Sequence, residues 1–138
     1  MNPISLDVYL FFSGNCREAM EFYHSVFGGE LSIQTMGEVP GGAGEMSDEM
    51  KNRVTHASLH GGEVALLGSD NDRTEPYGTS NISLCLGGTD ETKLRELFNK
   101  LSQGGKVTSE LKKEFWGDTF GTVTDKFGTD WMVNISSR

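Results

Sequence analysis

His56 is the residue best suited to chemistry in this chain of 138 residues. It stands in line with Ser58 and His60 at a spacing of two, the period that puts alternate side chains on one face of a β-strand. Imidazole is the side chain that titrates near neutral pH without help, so His56 fits a general base or a hydrogen-bond donor lining a cavity. It equally fits a structural histidine satisfied by a backbone carbonyl or by Asp70. Asp7 and Asp70 fit a carboxylate pair around His56, or residues that cap turns and solvate strand ends. Phe115, Trp116 and Phe120 form an aromatic cluster beside Gly117 and Gly121, suited to a ligand platform or to a contact between two copies. Cys16 and Cys85 are isolated, without CxxC spacing, which argues against a zinc ribbon or a disulfide scaffold. No cation lies near Cys85 in sequence to lower its pKa, so it reads as core rather than nucleophile. The run Gly41-Gly42-Ala43-Gly44 sits among acidic residues and lacks the spacing of a phosphate-cradling loop.

The elements that must position these groups follow from periodicity. Ile4, Leu6, Val8, Leu10 and Phe12 alternate with Ser5, Asp7, Tyr9 and Phe11, a strand with two unlike faces. In residues 16–27, Ala19, Met20, Phe22, Tyr23, Val26 and Phe27 recur at spacings of three and four. That is an amphipathic helix, with Ser13 or Asn15 as its N-cap and Gly28-Gly29 as its stop. Strands are expected at 31–36, 54–60 and 63–67, the last two joined around Gly61-Gly62, with 38–52 a mobile acidic loop. The order then repeats: a strand at 81–86, Asp90 as N-cap, and a helix carrying Leu94, Leu97, Phe98 and Leu101 up to Gly104-Gly105. The two double glycines differ by 104 − 28 = 76, and the same offset carries Phe22 to Phe98 and Leu6, Val8 and Leu10 to Ile82, Leu84 and Leu86. The closing hairpins at 63–69 and 129–135 align at an offset of 66. The chain therefore reads as one α+β domain of two βαβββ modules, about 4–70 and 80–135, with 71–79 as linker. Each module is too small to bury its own sheet well, so the two are expected to pair into one curved mixed sheet.

Strand parity then sorts the candidates. With Leu6, Val8 and Leu10 under the helix, Asp7, Tyr9 and Phe11 face a concave side, joined by Asn81, Ser83 and Cys85 from the second module. Asp130, Met132 and Asn134 alternate away from Trp131, Val133 and Ile135. Such a mixed aromatic and polar lining suits a small organic ligand with a few hydrogen-bonding groups. Charge supports the choice: 12 Lys plus Arg against 20 Asp plus Glu give 12 − 20 = −8, a balance that repels nucleic acid and anionic lipid. The 18 glycines against 3 prolines favour short strands and tight turns over a helical bundle. No charged leader precedes an apolar stretch and no apolar run is long enough to span a bilayer, so a cytoplasmic location is expected.

The segment 9–16 (YLFFSGNC), leading into REAMEFY at 17–23 and FGGE at 27–30, resembles the opening of the vicinal oxygen chelate superfamily of glyoxalases, bleomycin-resistance proteins and extradiol dioxygenases. His56-Ala57, Ser69-Asp70 and the segment 115–134 resemble its PhnB-like branch. The resemblance implies paired βαβββ modules, a concave site and a homodimer. In metal-dependent members, ligands from the first and last strands of each module hold a divalent cation as Lewis acid. Here the closing pattern, which ends in a metal-binding Glu, runs from Asp125 to Met132, so a thioether stands at the carboxylate position, and the counterpart in the first module falls near Leu66. The opening-strand ligand positions fall at Asp7 or Val8 and at Asn81 or Ser83.

Two functions fit. The first is metal-free binding of a small molecule, such as a cationic aromatic compound, by Asp7, Tyr9, His56, Ser58, Asp70, Asn81, Trp116, Phe120 and Met132, with no cofactor and no residue assigned to catalysis. The second is a metal-dependent lyase, isomerase or dioxygenase of the glyoxalase type acting on a small metabolite.

Overall fold

A computed structural model describes residues 8–38, 47–62, 64–70 and 82–137. The expectations for Asp7, for Asn81, for the 41–44 glycines and for the 71–79 linker lie outside the described residues. The chain divides into two compact units, Met1–Pro76 and Tyr77–Arg138.

In the first unit, β1 (Val8–Phe12) leads to α1 (Cys16–Phe27), followed by β2 (Glu30–Thr35), β3 (Val54–His60) and β4 (Leu66–Asp70), in sheet order β1-β4-β3-β2. β1 runs parallel to β4 and the other pairs are antiparallel. Cys16, Ala19, Met20, Tyr23, Val26 and Phe27 are the buried stripe of α1, and it packs on Ala57, Leu59 and Leu66 of the sheet. Gly68 lies directly beneath the helix, since a Cβ there would stand 3.2 Å from the Met20 sulfur and 3.3 Å from the Cys16 sulfur. A bulge displaces the register between Gln34 and Thr35, pairing Gln34 with His56 but Thr35 with Val54. That skip turns Val54 inward, while His56 stays on the open face.

The second unit repeats the plan with β5 (Leu84–Gly88), α3 (Glu91–Leu101), β6 (Lys106–Lys113), β7 (Thr119–Thr124) and β8 (Asp130–Ile135), in order β5-β8-β7-β6. Its core is Leu94, Leu97, Phe98 and Leu101 of α3 against Val123, Trp131, Val133 and Ile135. The offset of 76 carries β1 onto β5 residue for residue, 8 + 76 = 84 and 12 + 76 = 88. Each unit is thus a βαβββ module built on a four-stranded mixed sheet.

Four local expectations change. β4 begins at Leu66 rather than at residue 63, because the connection after His60 folds back onto the end of α1: a Cβ on Gly62 would stand 2.7 Å from the Phe27 carbonyl oxygen. Neither Ser13 nor Asn15 caps α1 by its side chain; that role falls to Asp70. Part of the 38–52 loop is ordered, with a 3-10 turn at Met36–Glu38 and the one-turn helix α2 (Asp48–Lys51), whose Ser47 hydroxyl accepts from the Met50 amide. Cys85, expected in the core, is exposed, because odd positions of β5 face away from α3.

Candidate functional site

Each sheet has one face covered by its helix and one free of it, and strand register assigns the residues of the free face. In the first unit Tyr9 pairs with Leu67, Leu67 with Ser58, and Ser58 with Ser32, which puts these four side chains in one row across the sheet. The neighbouring row holds Phe11 beside Ser69 and His56 beside Gln34. Tyr9 and Phe11, two residues apart on β1, stack with ring centroids 5.0 Å apart and planes 28° from parallel. The Tyr9 hydroxyl lies 3.3 Å from His56 Nδ1, and the two rings are 6.0 Å apart. Tyr9 is 39% exposed and Phe11 49%, well above the other aromatic residues of this unit's core. The face therefore offers an aromatic plate flanked by an imidazole and by the hydroxyls of Ser32 and Ser58, a surface that can take a flat apolar body and hydrogen-bond its edge.

Ser58 thus joins Tyr9 and His56 on one face, whereas Asp70 does not. Asp70 occupies the opposite parity of β4, in register with the buried Phe12. Its Oδ1 accepts from the Gly14 and Cys16 amides, both at 2.9 Å, and Oδ2 accepts from the Val54 amide at 3.0 Å. One carboxylate thereby satisfies orphan donors at the start of α1, counters the positive end of its dipole and fixes the start of the strand that carries His56. Beside it, the Cys16 thiol is fully buried and its pKa is pushed up to about 12, first by loss of solvent and then by the Asp70 charge, against a smaller opposing effect of Arg17. Cys16 is held as a neutral thiol.

In the second unit the free face carries Cys85, Met132 and Thr122 in one row, with Gly87, Asn134, Phe120 and Lys112 in the next. Trp116 and Phe120 meet edge-on at 6.1 Å, and Phe115, 95% exposed, meets Trp116 at 5.0 Å. These three aromatics gather at the β6–β7 hairpin, whose turn is closed by the Glu114 amide donating to the Asp118 carbonyl at 2.8 Å. The turn before β8 is held by Asp125, a residue to which spacing gave no role. Its Oδ1 accepts from the Phe127 and Thr129 amides, and Oδ2 accepts from the Trp131 indole N–H at 2.9 Å. The only sign of this in the sequence is an Asp ahead of a Gly at a strand start, which is the signature of a turn.

Register also corrects the inter-module alignment. Leu84 pairs with Trp131 as Val8 pairs with Leu66, so the closing strands are related by 131 − 66 = 65. The counterpart of Met132 is Leu67, on the free face, and Leu66 is buried under α1. A slip of one residue exchanges the faces of a strand. With Leu67 and Met132 at the two closing-strand positions, the donor set among the described residues does not suit a hard divalent cation, which takes carboxylate and imidazole ligands. No group of three or more His, Cys, Asp or Glu among the described residues could hold a metal ion. No helix among them is long and apolar enough to cross a membrane.

Two βαβββ modules with this sheet order define a glyoxalase-like α+β protein. Residues 5–133 match the model of the Glyoxalase/Bleomycin resistance protein/Dioxygenase superfamily, and the chain belongs to that family. Protein PA1353 from Pseudomonas aeruginosa is 39% identical, with 96% of this chain and 98% of that one covered and a TM-score of 0.77. Protein YjdN of Escherichia coli strain K12 is 29% identical over 138 residues, covering 94% of each chain. The PhnB protein from Bacillus cereus, a putative 3-demethylubiquinone-9 3-methyltransferase by its description, shares the fold at 23% identity and a TM-score of 0.77, with 96% of this chain and all of that one covered.

Proposed function

We propose that this chain is a PhnB-like member of the superfamily that binds a small aromatic molecule without a metal, on the free face of the first unit's sheet. The Tyr9–Phe11 stack, with the Tyr9 hydroxyl set against His56, carries the reading. An aromatic plate attracts flat and cationic ligands, and the net charge of −8 raises the local concentration of cations. His56 supplies a hydrogen-bonding imidazole at the edge of the plate. The replacement of the family's closing-strand carboxylate by Met132 supports the metal-free part of the reading. The family resemblance adds a homodimer to it.

A titration with a planar cationic aromatic, proflavine as first probe, tests this by fluorescence and calorimetry. Tyr9→Ala and Phe11→Ala should each weaken binding about two- to five-fold, the equivalent of the 0.5–1 kcal/mol of an exposed cation–π contact. Binding indifferent to both substitutions together, or stoichiometric uptake of manganese, nickel or zinc that raises the melting temperature, would favour the metal-dependent enzyme instead.

A further inference from the structure

The second unit's free face differs in kind from the first. Cys85 on β5 and Met132 on β8 are register partners of a parallel pair, so their side chains project side by side from the same face. Cys85 is exposed and Met132 is half-buried beside it. The harder side chains of β8 lie outside this row: Asn134 Nδ2 donates to Asp118 Oδ2 at 2.9 Å, and Asp130 Oδ1 accepts from the Thr124 hydroxyl at 2.7 Å. What remains on the row is a thiol and a thioether, with Thr122 as the third neighbour.

We propose that Cys85 and Met132 form a two-sulfur site for a soft monovalent cation, Cu(I) or its analogue Ag(I). Thiolate and thioether together select soft ions over hard ones. Both side chains leave the same face of adjacent strands, whose backbones stand about 4.8 Å apart, and the flexible, unbranched Met132 side chain can bring its thioether to an ion held by the Cys85 sulfur. Binding replaces the Cys85 S–H proton with the cation, so each ion bound releases one proton and no electron is transferred. The second thiol, Cys16, is fully buried on the sheet-facing side of α1 and does not compete in the folded chain. The site rests on β5 and β8 alone and stands or falls independently of aromatic binding by Tyr9 and Phe11.

Titration with silver nitrate in chloride-free buffer, read by native mass spectrometry and calorimetry, tests the assignment. One Ag(I) per chain with release of one proton is expected. Cys85→Ser should abolish the site, and the near-isosteric Met132→Leu should lower the affinity by at least about tenfold, the low end of losses seen even for partners that only support a ligand. Circular dichroism of both variants confirms that the fold is kept. Equal Ag(I) affinity in Met132→Leu and the parent chain would reduce the site to a solitary surface thiol and overturn the proposal. So would retention of the ion by Cys85→Ser, or displacement of Ag(I) by an equal concentration of Zn(II).

Discussion

Replacing Asp70 separates a structural role from a ligand-binding one at a position that the sequence left open between the two. Its carboxylate accepts from three backbone amides, Gly14, Cys16 and Val54, which lie in two different segments of the chain. A hydrogen bond to a charged acceptor contributes about 1.5–3 kcal/mol net. The three here share one carboxylate, and the Gly14 end is exposed enough for water to replace it, so Asp70→Ala should cost about 3 kcal/mol rather than the full sum. For a chain of this size that is a fall of about 10 °C in melting temperature. Asp70→Asn can keep one carbonyl oxygen toward Gly14 and Cys16 but sets an amide donor against the Val54 N–H, so it should lie between the parent and Asp70→Ala. Asn15→Ala is the internal control. Asn15 occupies the nominal cap position of α1 with no side-chain capping bond, and its loss should fall within about 0.5 kcal/mol. Differential scanning calorimetry of the three variants gives the ranking directly. If Asp70→Ala melts within about 2 °C of the parent while losing affinity for an aromatic ligand, the cap argument fails and Asp70 belongs to the binding surface after all.

Three further expectations concern the thiols and the glycine contact. Iodoacetamide should label one thiol per native chain, at Cys85, and two after unfolding, as counted by mass spectrometry. The fold favours the neutral Cys16 thiol, so the folded chain keeps a proton that the unfolded chain releases between pH 9.0 and about 12; stability should fall as pH rises through that window, and this part of the slope should vanish in Cys16→Ala. Gly29→Ala should be strongly destabilising by thermal melt, because its φ is +89° and a Cβ would stand 2.6 Å from the His60 carbonyl oxygen, backbone that cannot swing aside.

Helices α1 and α3 and strand β3 were legible because their signal is periodic and local, whereas the one-turn α2 carries no such period. Six apolar residues at helical spacing place α1 at Cys16–Phe27, and Asp90 caps α3 through the Lys93 amide as its type predicts. Features that depend on chain segments far apart were not legible. The start of β4 is set by the close approach of Gly62 to the end of α1, and the α1 cap comes from Asp70, 54 residues beyond the Cys16 amide it accepts from. No local propensity records either contact. Of the candidate site, parity put Tyr9 with Phe11 on β1 and His56 with Ser58 on β3, and proximity put Trp116 beside Phe120, but that the two faces coincide is set by the pairing of both strands with β4. The exposure of Cys85 was obscured because core packing was inferred from residue type, against the alternation of its own strand.

The corrected register makes the two modules comparable position by position, and the comparison shows where they diverge. Facing the helices, Val8 and Leu10 correspond to Leu84 and Leu86, and Leu66 and Gly68 correspond to Trp131 and Val133, so that side stays non-polar throughout. Asp70 is the exception, replaced by Ile135, and the reason is local: α3 takes its cap from Asp90 in the preceding turn and needs no carboxylate from the sheet. On the free faces the inner-strand hydroxyls are kept, Ser58 and Ser32 corresponding to Thr122 and Ser109, but Tyr9, Phe11, Leu67 and Ser69 correspond to Cys85, Gly87, Met132 and Asn134. A side whose packing must be filled tolerates only substitutions that preserve apolar contact, whereas a side without a covering helix is free to change its chemistry. The divergence gives the two free faces different chemistries, aromatic and imidazole in the first module and sulfur in the second, and the two proposed ligands follow that difference.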